Sequence, residues 1–99
     1  MHSLDGKWNC DDNLDYEFIQ PQNQNEVFVL GRDSSVEIKN IGHGKIIGDY
    51  LVITWINLTQ SGNPAIHSVV SKISDDEKEI TEKVQLQGRH FSYGTWTRI

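Results

Sequence analysis

Leu51-Val52-Ile53-Thr54-Trp55-Ile56-Asn57-Leu58, opened by Gly48-Asp49-Tyr50, decides the fold. It is the longest apolar run and is rich in β-branched and aromatic side chains, which favour extended backbone. Leu51, Ile53 and Trp55 point one way; Val52, Ile56 and Leu58 point the other. With both faces apolar, the run predicts a central strand covered on both sides. It is too short to cross a membrane as a helix. The spacing therefore points to a small all-β protein.

Outward from this strand, short extended runs alternate with turn residues. Lys7-Trp8-Asn9-Cys10 precedes the acidic turn Asp11-Asp12, and Tyr16-Glu17-Phe18-Ile19-Gln20 ends at Pro21. Glu26-Val27-Phe28-Val29-Leu30 stops at Gly31. Ser35-Val36-Glu37-Ile38-Lys39 alternates, with Val36 and Ile38 predicted inward. Asn40-Ile41-Gly42-His43-Gly44 reads as a glycine-rich bend, and Lys45-Ile46-Ile47 as a bulge or the start of its neighbour. Beyond the central strand, 59–64 reads as a wide loop and Ala65 to Ile73 as a strand. The acidic turn at 74–78 leads to Glu79 through Gln87, with Ile80, Val84 and Leu86 on one face and Glu82 on that face too. Gly88-Arg89 turns the chain into a last strand, His90 through Ile99. No window sustains helical spacing. The expectation is an all-β, antiparallel up-and-down meander of eight or nine strands closed into a small barrel, a single domain over 1–99.

The 99 residues suffice for one core, burying roughly two-thirds of the unfolded surface. A net charge of −5, with lysines and arginines scattered, argues against a nucleic-acid partner. Cys10 is the only cysteine, so no intrachain disulfide can form. With no signal-peptide pattern at the start, cytoplasm is the expected compartment. No membrane association is expected.

Gly6-Lys7-Trp8 and Gly94-Thr95-Trp96 repeat one pattern near the two ends, which neighbour each other in a closed meander. Here the chain resembles the calycins, the lipocalin and avidin-like meander barrels. Leu4-Asp5-Gly6-Lys7-Trp8 is similar to the Leu-x-Gly-x-Trp opening of avidins. Thr97-Arg98-Ile99 is similar to the closing lipocalin strand that sets a basic residue over the first Trp, and Ile53-Thr54-Trp55 to an avidin strand with a ligand-facing Trp. The resemblance implies that Trp8, Trp96 and Arg98 close one end. It does not extend to biotin, because Cys10 stands near where avidins carry a polar ligand-binding residue.

Catalytic motifs are lacking: there is no nucleophile elbow, phosphate loop or dinucleotide fingerprint. His2, His43, His67 and His90 have no zinc spacing, and the carboxylate pairs sit in turns. Neither an enzyme nor a metal or cofactor is expected. The function read from the residues is binding of a small, partly apolar ligand at the open barrel end. Tyr16, Tyr50 and Trp55 would form the walls, with His67 or His43 as a polar contact. The alternative is an interaction module, an inhibitor or complex subunit, whose aromatics fill the barrel; at this length the filled core is the simpler expectation. A homo-oligomer is compatible with either.

Overall fold

A computed structural model describes residues 1–58, 65–88 and 94–99. The wide loop at 59–64, and His90, Phe91 and Tyr93 of the last sequence run, lie outside the described residues. The strands are β1 (Gly6–Cys10), β2 (Asp15–Ile19), β3 (Glu26–Arg32), β4 (Ile38–Ile47), β5 (Tyr50–Asn57), β6 (Ala65–Ile73), β7 (Glu79–Gln87) and β8 (Thr95–Arg98). Each pairs antiparallel with the next, and β1 pairs with β8, closing an eight-strand barrel.

Period-two alternation puts one side of every strand inside. Leu51, Ile53 and Trp55 of β5 are buried with Val27 and Val29 of β3, Val69 and Ile73 of β6, and Ile80 of β7. Removing such side chains from water contributes about 1.5–3 kcal/mol each, which chain entropy largely offsets.

Four features differ from the sequence reading. First, Lys45–Ile47 belongs to β4, and so does the glycine-rich segment before it. Gly42 and Gly44 are buried, inward-facing residues opposite Trp55 and Ile53. A Cβ on Gly44 would strike the Val52 carbonyl oxygen, and one on Gly42 would lie 2.8 Å from the Trp55 ring. The glycines let backbone and rings approach closely and do not make a bend. Second, Val36 is 71% exposed with φ 69°, in the β3–β4 turn, and Ile38 is exposed as well. The Asp33 carboxylate organises this turn by accepting from the Ser35 and Glu37 backbone N–H groups.

Third, β7 switches faces. Val70 pairs with Val84 but Ser71 with Glu82, so a β-bulge absorbs Lys83. Ile80 and Glu82 stay inside, while Val84 and Leu86 face outward and are exposed. Fourth, β5 is covered on its inner face alone. Val52 and Ile56 are half-buried by cross-strand neighbours, not by a second layer, and Leu58 is exposed. The register lines up Leu30, Ile41, Ile56 and Ile66 as an apolar row across four strands of the outer wall. Ile66 in that row is 55% exposed.

Candidate functional site

The two barrel ends are built differently, and the N-terminal segment makes the difference. Leu4 is fully buried and accepts the Trp8 Nε1–H on its carbonyl oxygen at 2.9 Å. Trp8 packs on Phe18 with ring centroids 5.2 Å apart. The Arg98 guanidinium lies 4.5 Å over the Trp8 ring. It also donates to the backbone oxygens of Ser3, Asp5 and Glu77 at 2.6–2.8 Å. His2 completes the closure, with hydrogen bonds of 2.8 Å to both Asp49 and Glu77. Every polar atom named here has a partner. This end is a plug.

At the opposite end lies a cavity of about 410 Å³, within the usual range for small-molecule sites. Its walls are aromatic. Trp55 and Trp96 stack with centroids 5.4 Å apart and planes 1° from parallel. Tyr16 meets each of them edge-on at 5.7 Å. Room for these rings comes from small residues: a Cβ on Gly31 would lie 2.6 Å from the Tyr16 ring.

Polar groups enter this wall from several strands. Asn40 Nδ2 donates to the Tyr16 hydroxyl at 2.8 Å, and that hydroxyl donates to Asp12 at 2.5 Å. His67 lines the cavity beside Trp55, its partner in the β5–β6 register. Burial pushes the His67 imidazole below its ordinary value, favouring the neutral ring near pH 7. Burial raises the Cys10 thiol and, helped by Asp12, raises the Tyr16 phenol well above its usual range. Both groups are thus kept in their protonated, weakly nucleophilic forms.

Glu82 is the exceptional group. It is 5% exposed, and its Oε1 accepts the Gly94 N–H at 2.6 Å. Its Oε2 has no hydrogen-bond partner among the described residues; nor do the buried Nε1 atoms of Trp55 and Trp96. Burial pushes the Glu82 carboxyl up to about 7, a shift the Gly94 N–H opposes and Asp11 and Asp12 reinforce. An unsatisfied buried polar atom costs about 1–3 kcal/mol; these three belong to side chains that line the cavity, while a fourth, Ser71 Oγ, belongs to a residue that does not.

Of the residues singled out from sequence, the structure brings together Tyr16, Trp55 and His67. Tyr50 and His43 are not among the cavity's lining residues. Tyr50 is 45% exposed at the β4–β5 turn, by the plugged end, with Lys72 Nζ 5.0 Å from its ring centroid. His43 is on the outer wall, stacked on Phe28 at 4.5 Å. The parity of β4 explains this, since His43 lies between inward-facing Gly42 and Gly44. Trp96 lines the cavity, whereas Trp8 and Arg98 form the plug without it.

Sequence reasoning missed Glu82, Trp96, Asn40 and the Asp11-Asp12 turn as site residues. A carboxylate among Ile80, Val84 and Leu86 was a signal in the alternation; nothing in the sequence marked Asn40. No three His, Cys, Asp or Glu side chains among the described residues are grouped as a metal ion would require. No helix among them is long and apolar enough to cross a membrane. No family model, no curated protein and no solved structure matches this chain.

Proposed function

We propose that the protein is a non-enzymatic, calycin-like barrel that binds a small, partly apolar molecule at its open end. The observation that carries this is the aromatic-walled cavity lined by Glu82, Trp55 and Trp96, whose Glu82 Oε2 and two indole N–H groups have no partner among the described residues. Buried polar groups are stabilised by a hydrogen-bond partner, and a ligand with a polar group could supply one here. The calycin-like assignment draws on Arg98 stacked over Trp8, on β1 pairing with β8, and on the Leu-x-Gly-x-Trp opening. Cys10 and Tyr16 at the cavity are held protonated by burial, which makes them weak nucleophiles and suits a binding role. Native mass spectrometry of the purified protein, then of the denatured sample, tests the reading. A co-purifying small molecule present on the native chain and lost from Trp55→Ala is expected. Full retention of that molecule by a folded Trp55→Ala protein would overturn the assignment.

A second reading, an interaction module that includes self-association, draws on a separate observation: the apolar row Leu30, Ile41, Ile56 and Ile66 on the outer wall. Exposed contiguous apolar surface of this kind marks interaction sites. Light scattering on size-fractionated protein reads it directly. A monomer at every concentration tested, both for the native chain and for Ile66→Glu, counts against self-association.

A further inference from the structure

We propose that the open-end cavity takes an organic amine, with its ammonium group paired to the Glu82 carboxylate and its aromatic or apolar body against Tyr16, Trp55 and Trp96. This deepens the ligand-binding reading above and rests on it.

Three independent observations converge. The first is a built polar contact: Glu82 is 5% exposed, one carboxylate oxygen is fixed by the Gly94 N–H, and the other has no partner among the described residues. An anion in that position is costly unless a cation meets it. The second is charge of one sign. Asp11 and Asp12, from the β1–β2 turn, line the same cavity, and no lysine or arginine does so among the described residues. A cleft lined by one sign concentrates the opposite charge and disfavours a carboxylate or phosphate ligand. The third is the wall itself. Indole and phenol rings attract ammonium groups through their negative faces, by about 0.5–2 kcal/mol, and also accept an apolar body.

The competing classes fit less well. An anionic ligand would meet three carboxylates. A neutral apolar ligand would leave Glu82 Oε2 unpaired and would require the carboxyl to stay protonated.

The proposal carries a proton signature. Among the described residues, the other titratable groups lining this cavity are Asp11 and Asp12 of the turn, Cys10 of β1, Tyr16 of β2 and His67 of β6. Burial keeps Cys10 and Tyr16 protonated and His67 neutral near pH 7, while Glu82, raised to about 7, changes charge there. An ammonium beside it favours the carboxylate, so amine binding at pH 7 expels about half a proton per site.

The test is calorimetric titration with three probes of one shape: phenethylamine, 2-phenylethanol and 3-phenylpropionate. At pH 8 the amine is expected to bind at least about 10-fold tighter than the alcohol, with the carboxylate weakest. Amine affinity is expected to rise between pH 6 and pH 8, and titrations in buffers of different ionisation enthalpy should report the released proton on the native protein. Glu82→Gln should abolish the amine's advantage over the alcohol at pH 8 and, with it, the proton release. Equal or tighter binding of the alcohol or carboxylate overturns the amine assignment while leaving the cavity as a ligand site. Failure of all three probes to bind overturns both readings.

Discussion

Replacing Glu82 by Gln removes one ionisable group from the inside of the barrel, and its effect on stability depends on pH in a way that can be worked out. The folded protein raises this carboxyl from 4.5 to about 7. Between those values the folded state keeps the proton while the unfolded state releases it. Stability therefore falls as pH rises through the window and levels off above about pH 8. At 1.36 kcal/mol per pKa unit, the full penalty approaches about 3 kcal/mol. The cavity beside Glu82 admits some solvent screening, so about 2 kcal/mol is the expected change between pH 5 and pH 8.5.

Gln keeps an oxygen for the Gly94 N–H and cannot ionise. Its amide hydrogens have no evident acceptor and cost about 1 kcal/mol at every pH, which shifts the absolute stability but not the slope. The assay is urea unfolding of native and variant protein at half-unit steps from pH 5 to pH 8.5. The stability difference, variant minus native, should grow in favour of the variant by about 2 kcal/mol across the series. A difference independent of pH would refute the reasoning. It would mean that Glu82 ionises as freely in the fold as in the unfolded chain.

The remaining expectations concern the plug and the wall. Arg98→Met removes three charge-assisted bonds to backbone oxygens and the stack on Trp8; it should cost about 3 kcal/mol in urea unfolding with little change in ligand affinity. The hydrogen bond to Asp49 holds His2 above its ordinary 6.5, with Glu77 adding to the effect against burial. Its stabilisation is thus fully present below pH 6.5 and lost as pH rises through the raised value. The stability gap between native protein and His2→Ala should accordingly be widest near pH 5.5 and narrow by pH 9. Gly44→Ala puts a methyl group into the Val52 carbonyl oxygen and the Ile53 backbone; it should cost about 3 kcal/mol or more, read as a lower thermal midpoint.

The barrel was legible because several of its strands are continuous runs rich in β-branched residues. β5, β6 and β7 emerge where β-branched runs predicted them, and the Gly-x-Trp units at the two ends bring β1 and β8 together. What stayed hidden follows from specific ambiguities. A glycine before an apolar run reads equally as a turn and as a point of close approach; Gly42 and Gly44 are the latter, because Trp55 and Ile53 lie opposite. A β-bulge adds a residue without a mark in the alternation, so Lys83 sends Val84 and Leu86 outward and leaves Glu82 in the cavity. Tryptophan reports burial but not which end it occupies, and Trp96 sits one turn of alternation away from Arg98, on the cavity side. Asn40 pairs with Tyr16 across 24 positions, which no local pattern encodes.

The three tryptophans supply the most direct test of the central claim that the open end binds a small molecule. Their indole N–H signals in nitrogen-15 nuclear magnetic resonance can be followed while phenethylamine, 2-phenylethanol and 3-phenylpropionate are added in turn. Trp55 and Trp96 line the cavity with buried N–H groups that have no partner among the described residues, whereas Trp8 is bonded to Leu4 at the plug. The expected result is saturable movement of the first two signals with at least one probe, and a stationary Trp8. Three unmoved signals with every probe, or movement confined to Trp8, would contradict it.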